Sequence, residues 1–401
     1  MSRNLDDWLT SYLRYTENSE PPLSYHTWSG LSLIAGALQR KVVLPWGFEM
    51  IYPNMYVVLI GPSGRARKGV ALGIAKNLLK KVPNLAIAPE STSGREAIVM
   101  AMKRAIGNFE NMDDGRIMFH CALTAFSEEL SVFLGQGDIK LLANLTDWYD
   151  CKDEWSYETI GRGLDSLQGL CFNLLGATAP DWIQSMLPHE AVGGGFTSRV
   201  IFVVEENKGK TVPEHQLTEE EKLLEEALCQ DLERISQLSG TIQFDAQAKK
   251  CYVDWYTKED ALLKHGEAAV SDNRFAGYCE RRSTHLRKLM ILLSVSRGDS
   301  LLLTEPDFNR AHSILTAVEV NMGKTFGGLG KARNSDATEL ILNYIKGVRI
   351  TTRTVLLSKF YRDVDIQTLR GIEETLTQMG KVHIELKPDM HEKVYKWIGD
   401  K

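Results

Sequence analysis

From Met55 to Ile60 the chain is an unbroken apolar run, and it turns at once into Gly61, Pro62, Ser63, Gly64, Arg65, Ala66, Arg67, Lys68 and Gly69. The segment Val70 to Lys80 then carries apolar residues on one helical face and lysines near its end, where the helix dipole favours cations. A buried strand feeding a glycine-containing loop and then a helix restricts the fold to an α/β layer with the loop at a strand's carboxyl end. The loop N–H groups and the helix N-terminus suit an anion such as a triphosphate, with Lys68 in reach of its outer phosphates. The candidate binding residues are Gly61, Pro62, Ser63, Gly64, Arg67, Lys68, Gly69 and Val70. The pattern departs from G-x-x-x-x-G-K-[ST]: Ala66 and Arg67 precede the lysine, and Gly69 and Val70 follow it. No hydroxyl stands ready for Mg²⁺. An ordinary strand–turn–helix is the competing reading.

A chain of 401 residues has room for two or three domains, and its 43% apolar and 25% charged content is that of a globular protein. The net charge of −5 is mild, so any nucleic-acid contact has to come from local patches. Six cysteines, at 121, 151, 171, 229, 251 and 279, form no C-x-x-C pair, which argues against zinc and fits free thiols in a reducing compartment. The first residues read as neither a signal peptide nor a basic presequence, and no apolar run is long enough to span a membrane. The expected location is the cytoplasm.

Residues 1–50 are expected to form a helical segment, helical through 45, with an amphipathic stretch from His26 to Arg40. Residues 51–210 alternate short apolar runs (55–60, 85–88, 117–124, 170–176 and 199–204) with helical patterns, which predicts a parallel α/β sheet. A polar linker at 207–217 leads to Thr218 and Glu221, spaced as a capping box. Residues 211–330 read as a helical block, closed by a hinge at Gly327 to Gly330, and 331–401 as a small separate unit.

The third run ends in Ser127, Glu128 and Glu129. Two carboxylates at a buried strand's carboxyl end suit an ATPase: one, Glu128, helps to hold Mg²⁺ through water, and the other, Glu129, orients and deprotonates the attacking water. Alone, such a pair is a solvated helix start; its position some 60 residues after the loop gives it weight. The fourth run ends at Gly176, Ala177 and Thr178, where a small polar group can sense a γ-phosphate, or simply begin a turn before Pro180. Next, Gly193 to Gly195 and then Thr197, Ser198 and Arg199 lead into Val200 to Val204. An arginine on that turn suits a finger inserted into a neighbouring subunit's site.

In that order, loop, acidic pair, polar strand end and Ser198-Arg199 resemble the AAA+ P-loop ATPases. The run from Ser198 to Val204 is similar to the finger segment of minichromosome-maintenance-type helicases, and the chain over 24–325 resembles phage and prophage replicative ATPases. The resemblance implies an α/β AAA+ core with a helical lid, ATP and Mg²⁺ as ligands, and a ring oligomer of six copies translocating on DNA during replication in a host cytoplasm. It also implies a phosphate-sensing arginine on the lid helix, Arg287 or else Arg282. Val70 and Glu128 depart from the Ser/Thr and Asp of the family, which weakens the Mg²⁺ site.

Residues 152–162 read as a β-hairpin. In ring helicases such a hairpin lines the channel, which offers Lys152 and Arg162 to phosphates and Trp155 or Tyr157 to single-stranded DNA bases. Packing of those aromatics on the domain is the alternative. The terminal unit reads as helices 336–347, 352–361 and 365–379 and strands Val382–Leu386 and Lys393–Ile398, with Asp389 and Met390 in the turn. Three helices and a hairpin describe a winged helix. Its 11 Lys+Arg against 10 Asp+Glu over 335–401 give a net charge of +1, so protein contact competes with DNA binding. Two rival functions keep these residues: an ATP-switched helicase loader or initiation adaptor, and a structural DNA-binding assembly with a degenerate site.

Overall fold

Four of the five apolar runs pair side by side as parallel strands. In the computed structural model, which describes residues 3–399 apart from 91, 136–137, 160–162, 181, 184–193, 215, 327–334, 362–363 and 388–391, they form most of a five-stranded sheet. The order across the sheet is Ile106–Glu110, Ile117–Ser127, Leu170–Thr178, Tyr56–Ile60 and Val200–Val204. Tyr56–Ile60 and Leu170–Thr178 are buried along their whole length, as expected of strands covered on both faces.

The sheet corrects the sequence reading at one edge. Residues 85–88 make only an isolated parallel bridge, Ile87 to Thr124, although the Ala88 amide donates to the Thr124 carbonyl at 2.9 Å. Pro83 and Pro89 bracket that run, and Asn84 takes φ 61°, so the extended stretch between them is too short for a longer ladder. The edge strand is instead Ile106–Glu110, which runs antiparallel to Ile117–Ser127.

The N-terminal segment is not a separate layer. Its helix Leu23–Leu38 is buried almost all round rather than amphipathic, because it lies between the sheet and the later helices. The Tyr25 hydroxyl donates to the Ile60 carbonyl at 2.6 Å, and the Trp8 indole to the Leu228 carbonyl at 2.9 Å. Residues 42–46, expected as the end of the helical segment, form a strand instead. Val42 and Val43 favour that conformation, and the strand pairs with Glu49–Ile51 and with Gly240–Thr241. Residues 1–326 therefore make one compact unit, in which the expected N-terminal segment, α/β core and helical block share a core.

The helical block comprises Glu219–Gln237, Ala246–Lys264, Ala276–Arg297 and Glu305–Met322. Thr218 with Glu221, and Thr304 with Asp307, close capping boxes at the first and last of these. The helix Ala276–Arg297 is central: His285 through Ser296 are buried without a break. Among the described residues no helix is long and apolar enough to cross a membrane.

Residues 327–401 form the second unit. Helices Ser335–Val348, Arg353–Lys359 and Ile366–Gln378 accompany a sheet ordered Ile350–Thr352, Glu392–Trp397, Val382–Lys387. The first of those strands is absent from the sequence reading, being only three residues long. Buried Glu373 accepts from Arg353, Lys393 and Tyr395 and ties the third helix to the sheet. The expected hinge at 327–330 and the turn residues Asp389 and Met390 lie outside the described residues.

Candidate functional site

Parallel pairing brings four strand exits to one end of the sheet. Ile60 lies beside Thr178 on one side and Val204 on the other, and Ser127 lies beside Gly176. The loop from Gly61, the pair Glu128 and Glu129, Thr178 and the segment from Glu205 therefore cluster at the carboxyl end of the sheet. In open α/β sheets that is where ligands bind.

The loop is shaped by close packing and by unusual backbone. A Cβ on Gly61 would meet the Glu205 carbonyl at 2.5 Å and the Tyr25 hydroxyl at 2.7 Å, so only glycine fits. Gly64 has φ 69° and Arg67 has φ 57°, and Arg67 is the N-cap of the helix Lys68–Lys80. No side chain caps this helix, which leaves first-turn N–H groups available to an anion. Lys68 folds back, its Nζ donating to the Gly61 carbonyl and, at 3.2 Å, to that of Pro62. Partial burial holds the Lys68 amine below its usual value, and the Glu129 carboxylate opposes that shift. The Glu129 carboxylate thus acts on the loop lysine. Val70, in the place of the expected hydroxyl, is exposed.

Glu128 and Glu129 follow the strand Ile117–Ser127 and are both exposed. Beside them a cavity of about 270 Å³ is lined by Ser127, Thr92, Lys76 and Glu90 among others, with Lys76 paired to Glu90. Thr178 is buried at the end of its strand, and its carbonyl accepts the Gly61 amide at 3.3 Å. Among the described residues no group of three or more His, Cys, Asp and Glu is placed to hold a metal ion. The one carboxylate offered by Glu128 fits Mg²⁺ only in the manner usual for nucleotide sites, where phosphates and water complete the shell.

Arg282 and Arg287, expected to reach a phosphate from the lid helix, lie elsewhere, and Arg199, expected as a finger for a neighbouring subunit's site, is engaged within its own chain. Arg199 precedes Val200, which pairs with Tyr56 at the amino end of the sheet, four residues or roughly 13 Å from Ile60. Its guanidinium is buried, donating to Asp150 at 3.0 Å and to the Gly195 carbonyl at 2.9 Å. Both partners belong to its own chain. Arg282 is buried between Glu259 and Glu319, at 2.6 and 2.7 Å. Arg287 is buried against the Trp46 and Tyr252 rings, with its centre 5.1 Å from the first and 5.9 Å from the second. The helix Ala276–Arg297 that carries both is anchored at the amino end of the sheet, where His285 bonds the Ser198 carbonyl and Lys288 that of Asn54, each at 3.0 Å. It does not carry Arg282 or Arg287 to the loop.

The hairpin forms, as Glu154–Thr159 paired with Gly163–Gln168. Its aromatics pack inward: Trp155 is buried against Trp148 at 5.5 Å, and Tyr157 lies under the Arg95 guanidinium at 4.3 Å. Lys152 is half exposed and paired with Asp147. Arg162 lies outside the described residues.

Residues not singled out from the sequence prove central. Glu20 accepts from Arg67 of the loop at 2.6 Å, a link across 47 positions that no local pattern carries. Burial holds the Lys288 amine down to about 8 and His285 down to about 3. All six cysteines are free thiols. No family model matches the chain, and no curated protein sequence matches it.

Proposed function

We propose that the chain binds ATP at residues 61–70 and hydrolyses it. The observation that carries this reading is the meeting of Lys68, Glu128, Glu129 and Thr178 at one sheet end, with Glu129 close enough to act on the Lys68 charge. The loop N–H groups and the helix N-terminus hold the phosphates, and Lys68 leaves the Gly61 and Pro62 carbonyls to neutralise the outer ones. The apolar cavity of about 240 Å³ formed by Leu23, Trp28, Val204, Ile314 and Val318, at the same sheet end, suits a flat base. Glu129 takes a proton from the attacking water while the water oxygen bonds to the γ-phosphorus and the bond to the β–γ bridging oxygen breaks. Thr178 faces the phosphate being released. Glu128 would hold Mg²⁺ through water, and the ion would supply charge neutralisation at the phosphates.

The likeness to replicative AAA+ ATPases extends this to a ring, with six copies, translocating on single-stranded DNA, and to a winged helix at 331–401. A second reading, an ATP-switched loader or initiation adaptor, is favoured by one observation: Arg199, Arg282 and Arg287 are all committed to partners within the chain. Titration with a fluorescent ATP analogue tests the site itself, and Lys68→Ala is expected to weaken binding at least tenfold, about 1.4 kcal/mol. Equal affinity in wild type and a folded Lys68→Ala variant would remove the loop from the account. Hydrolysis that rises with single-stranded DNA supports the motor; binding without turnover supports the switch.

A further inference from the structure

Glu20 stands at the centre of a network that the proposed chemistry does not use. Its Oε2 accepts from Arg67 at 2.6 Å. Its Oε1 accepts from Lys208 at 2.5 Å and from the Val212 amide at 3.3 Å, and its carbonyl accepts from the Gly209 amide at 2.9 Å. Glu20 thereby joins three stretches that are far apart in sequence: the N-terminal segment, the phosphate loop, and the path that leaves the strand Val200–Val204 for the helical block. Pro21 and Pro22 follow it, and Pro22 is the N-cap of the helix whose Tyr25 seals the back of the loop at Ile60. Two residues after Pro22, Ser24 donates to Glu205 at 2.6 Å, a second tie to the same exit path.

Arg67 is the residue immediately before Lys68, and its guanidinium is partly exposed, whereas Glu20 is largely covered. A carboxylate and a phosphate are the same kind of partner for a guanidinium, both taking charge-assisted forks. We propose that Glu20 is a positioning residue that holds Arg67 while the loop is empty, and that a nucleotide phosphate takes Arg67 from it, releasing segment 205–212. The inference rests on the reading of 61–70 as a triphosphate site and adds its regulation. With Arg67 in place, Glu20 is fixed from two sides. Once Arg67 turns to phosphate, Glu20 keeps Lys208 alone, and the side chain recovers freedom that loosens its hold on Val212. The strong downward displacement of the Glu20 carboxyl, to about 2, has Lys208 as its largest cause and Arg67 among the others, in keeping with a carboxylate shared by two cations.

Such partly exposed pairs are weak singly, so the effects are several-fold rather than orders of magnitude. The experiment uses the full chain, with a fluorescent ATP analogue and a trypsin time course read at Lys208 and Lys210. In wild type, nucleotide is expected to speed cleavage at those two lysines about three- to fivefold. In Glu20→Gln, cleavage is expected to be fast without nucleotide, and affinity to rise about threefold, because the competing anion is gone. In Arg67→Ala, cleavage is expected to be the same with and without nucleotide, and adding Glu20→Gln is expected to leave affinity unchanged. Nucleotide-dependent cleavage that survives in Arg67→Ala overturns the proposal, as does a Glu20→Gln effect of equal size in both backgrounds. If Glu20→Gln fails to fold by circular dichroism, the Arg67→Ala cleavage comparison decides alone. Absence of nucleotide binding by the wild type removes the triphosphate reading and this proposal together. Binding with nucleotide-insensitive cleavage removes only this proposal.

Discussion

Arg199 donates to Asp150 at 3.0 Å within a single chain, and the two residues close the amino end of the sheet, away from the phosphate loop. Arg281 approaches the same carboxylate at 4.0 Å, and the Tyr149 ring lies 5.9 Å from the Arg199 guanidinium. The arginine is thus part of the fold before any neighbour is present.

Arg199→Ala should accordingly destabilise the isolated chain by about 1–2 kcal/mol, since Asp150 is half exposed and recovers some solvation. Urea denaturation of the variant measures this. Activity lost in Arg199→Ala should not return on mixing with Glu129→Gln chains. Partial recovery in the mixture would mean that Arg199 leaves Asp150 on assembly and serves a neighbouring site.

Glu128 and Glu129 should separate in their effects. Glu129→Gln is expected to leave nucleotide affinity nearly intact and slow turnover by roughly 10²–10⁴-fold, the range of general base catalysis. Glu128→Gln should instead raise the Mg²⁺ concentration needed for half-maximal hydrolysis. Turnover unchanged in both variants would make the pair a solvated helix start.

Gly61 and Gly64 are glycines for different reasons, so their alanine variants should differ. At Gly61 a Cβ would meet the Glu205 carbonyl at 2.5 Å, and the loop or the exit path has to move. Gly61→Ala should cost about 1–3 kcal/mol, as overpacking does, and impair nucleotide binding. At Gly64 a Cβ enters open space with φ 69°, so Gly64→Ala should carry only the left-handed backbone strain of about 1 kcal/mol. Thermal melts and nucleotide titrations of the two variants make the comparison.

Acid should unfold the protein starting near neutrality. Burial lowers His26 and His120 to about 4 and His285 to about 3, from 6.5. Between those values the unfolded chain binds protons that the folded chain refuses. The stability is therefore fully present above pH 6.5 and is lost as pH falls toward 4, by about 1.4 kcal/mol per pH unit for each such histidine. His285 is neutral with Nε2–H donating to the Ser198 carbonyl and Nδ1 accepting from Tyr149, an arrangement that glutamine can imitate. Denaturant titrations at pH 7, 6 and 5 should show a smaller pH slope in His285→Gln. An unchanged slope would mean that His285 does not titrate on unfolding.

The local elements were legible because each is specified by neighbours in sequence. The continuous apolar run 55–60 can only be a covered strand, and Thr218 with Glu221 marks a helix start three residues wide. The carboxyl-end cluster was also legible, since parallel strands place every exit at one end: Gly61, Glu128 and Thr178 had to meet if their strands paired. The edge was less so. Residues 85–88 look like a strand by composition, but flanking prolines confine them to a bridge, and the antiparallel strand Ile106–Glu110 takes the edge along Ile117 to Cys121.

The arginines were decided by tertiary structure alone. Sequence places Arg199, Arg282 and Arg287 near motifs, yet a long side chain goes to whichever partner the packing supplies: Asp150 for the first, Glu259 and Glu319 for the second, Trp46 and Tyr252 for the third. Glu20 and Arg67, 47 positions apart, meet for the same reason. Backbone pattern is fixed by local sterics and by which face is apolar, and both are written in short windows of residues. The pairing of charges depends on distances across the folded chain, which exist only once those windows have packed together.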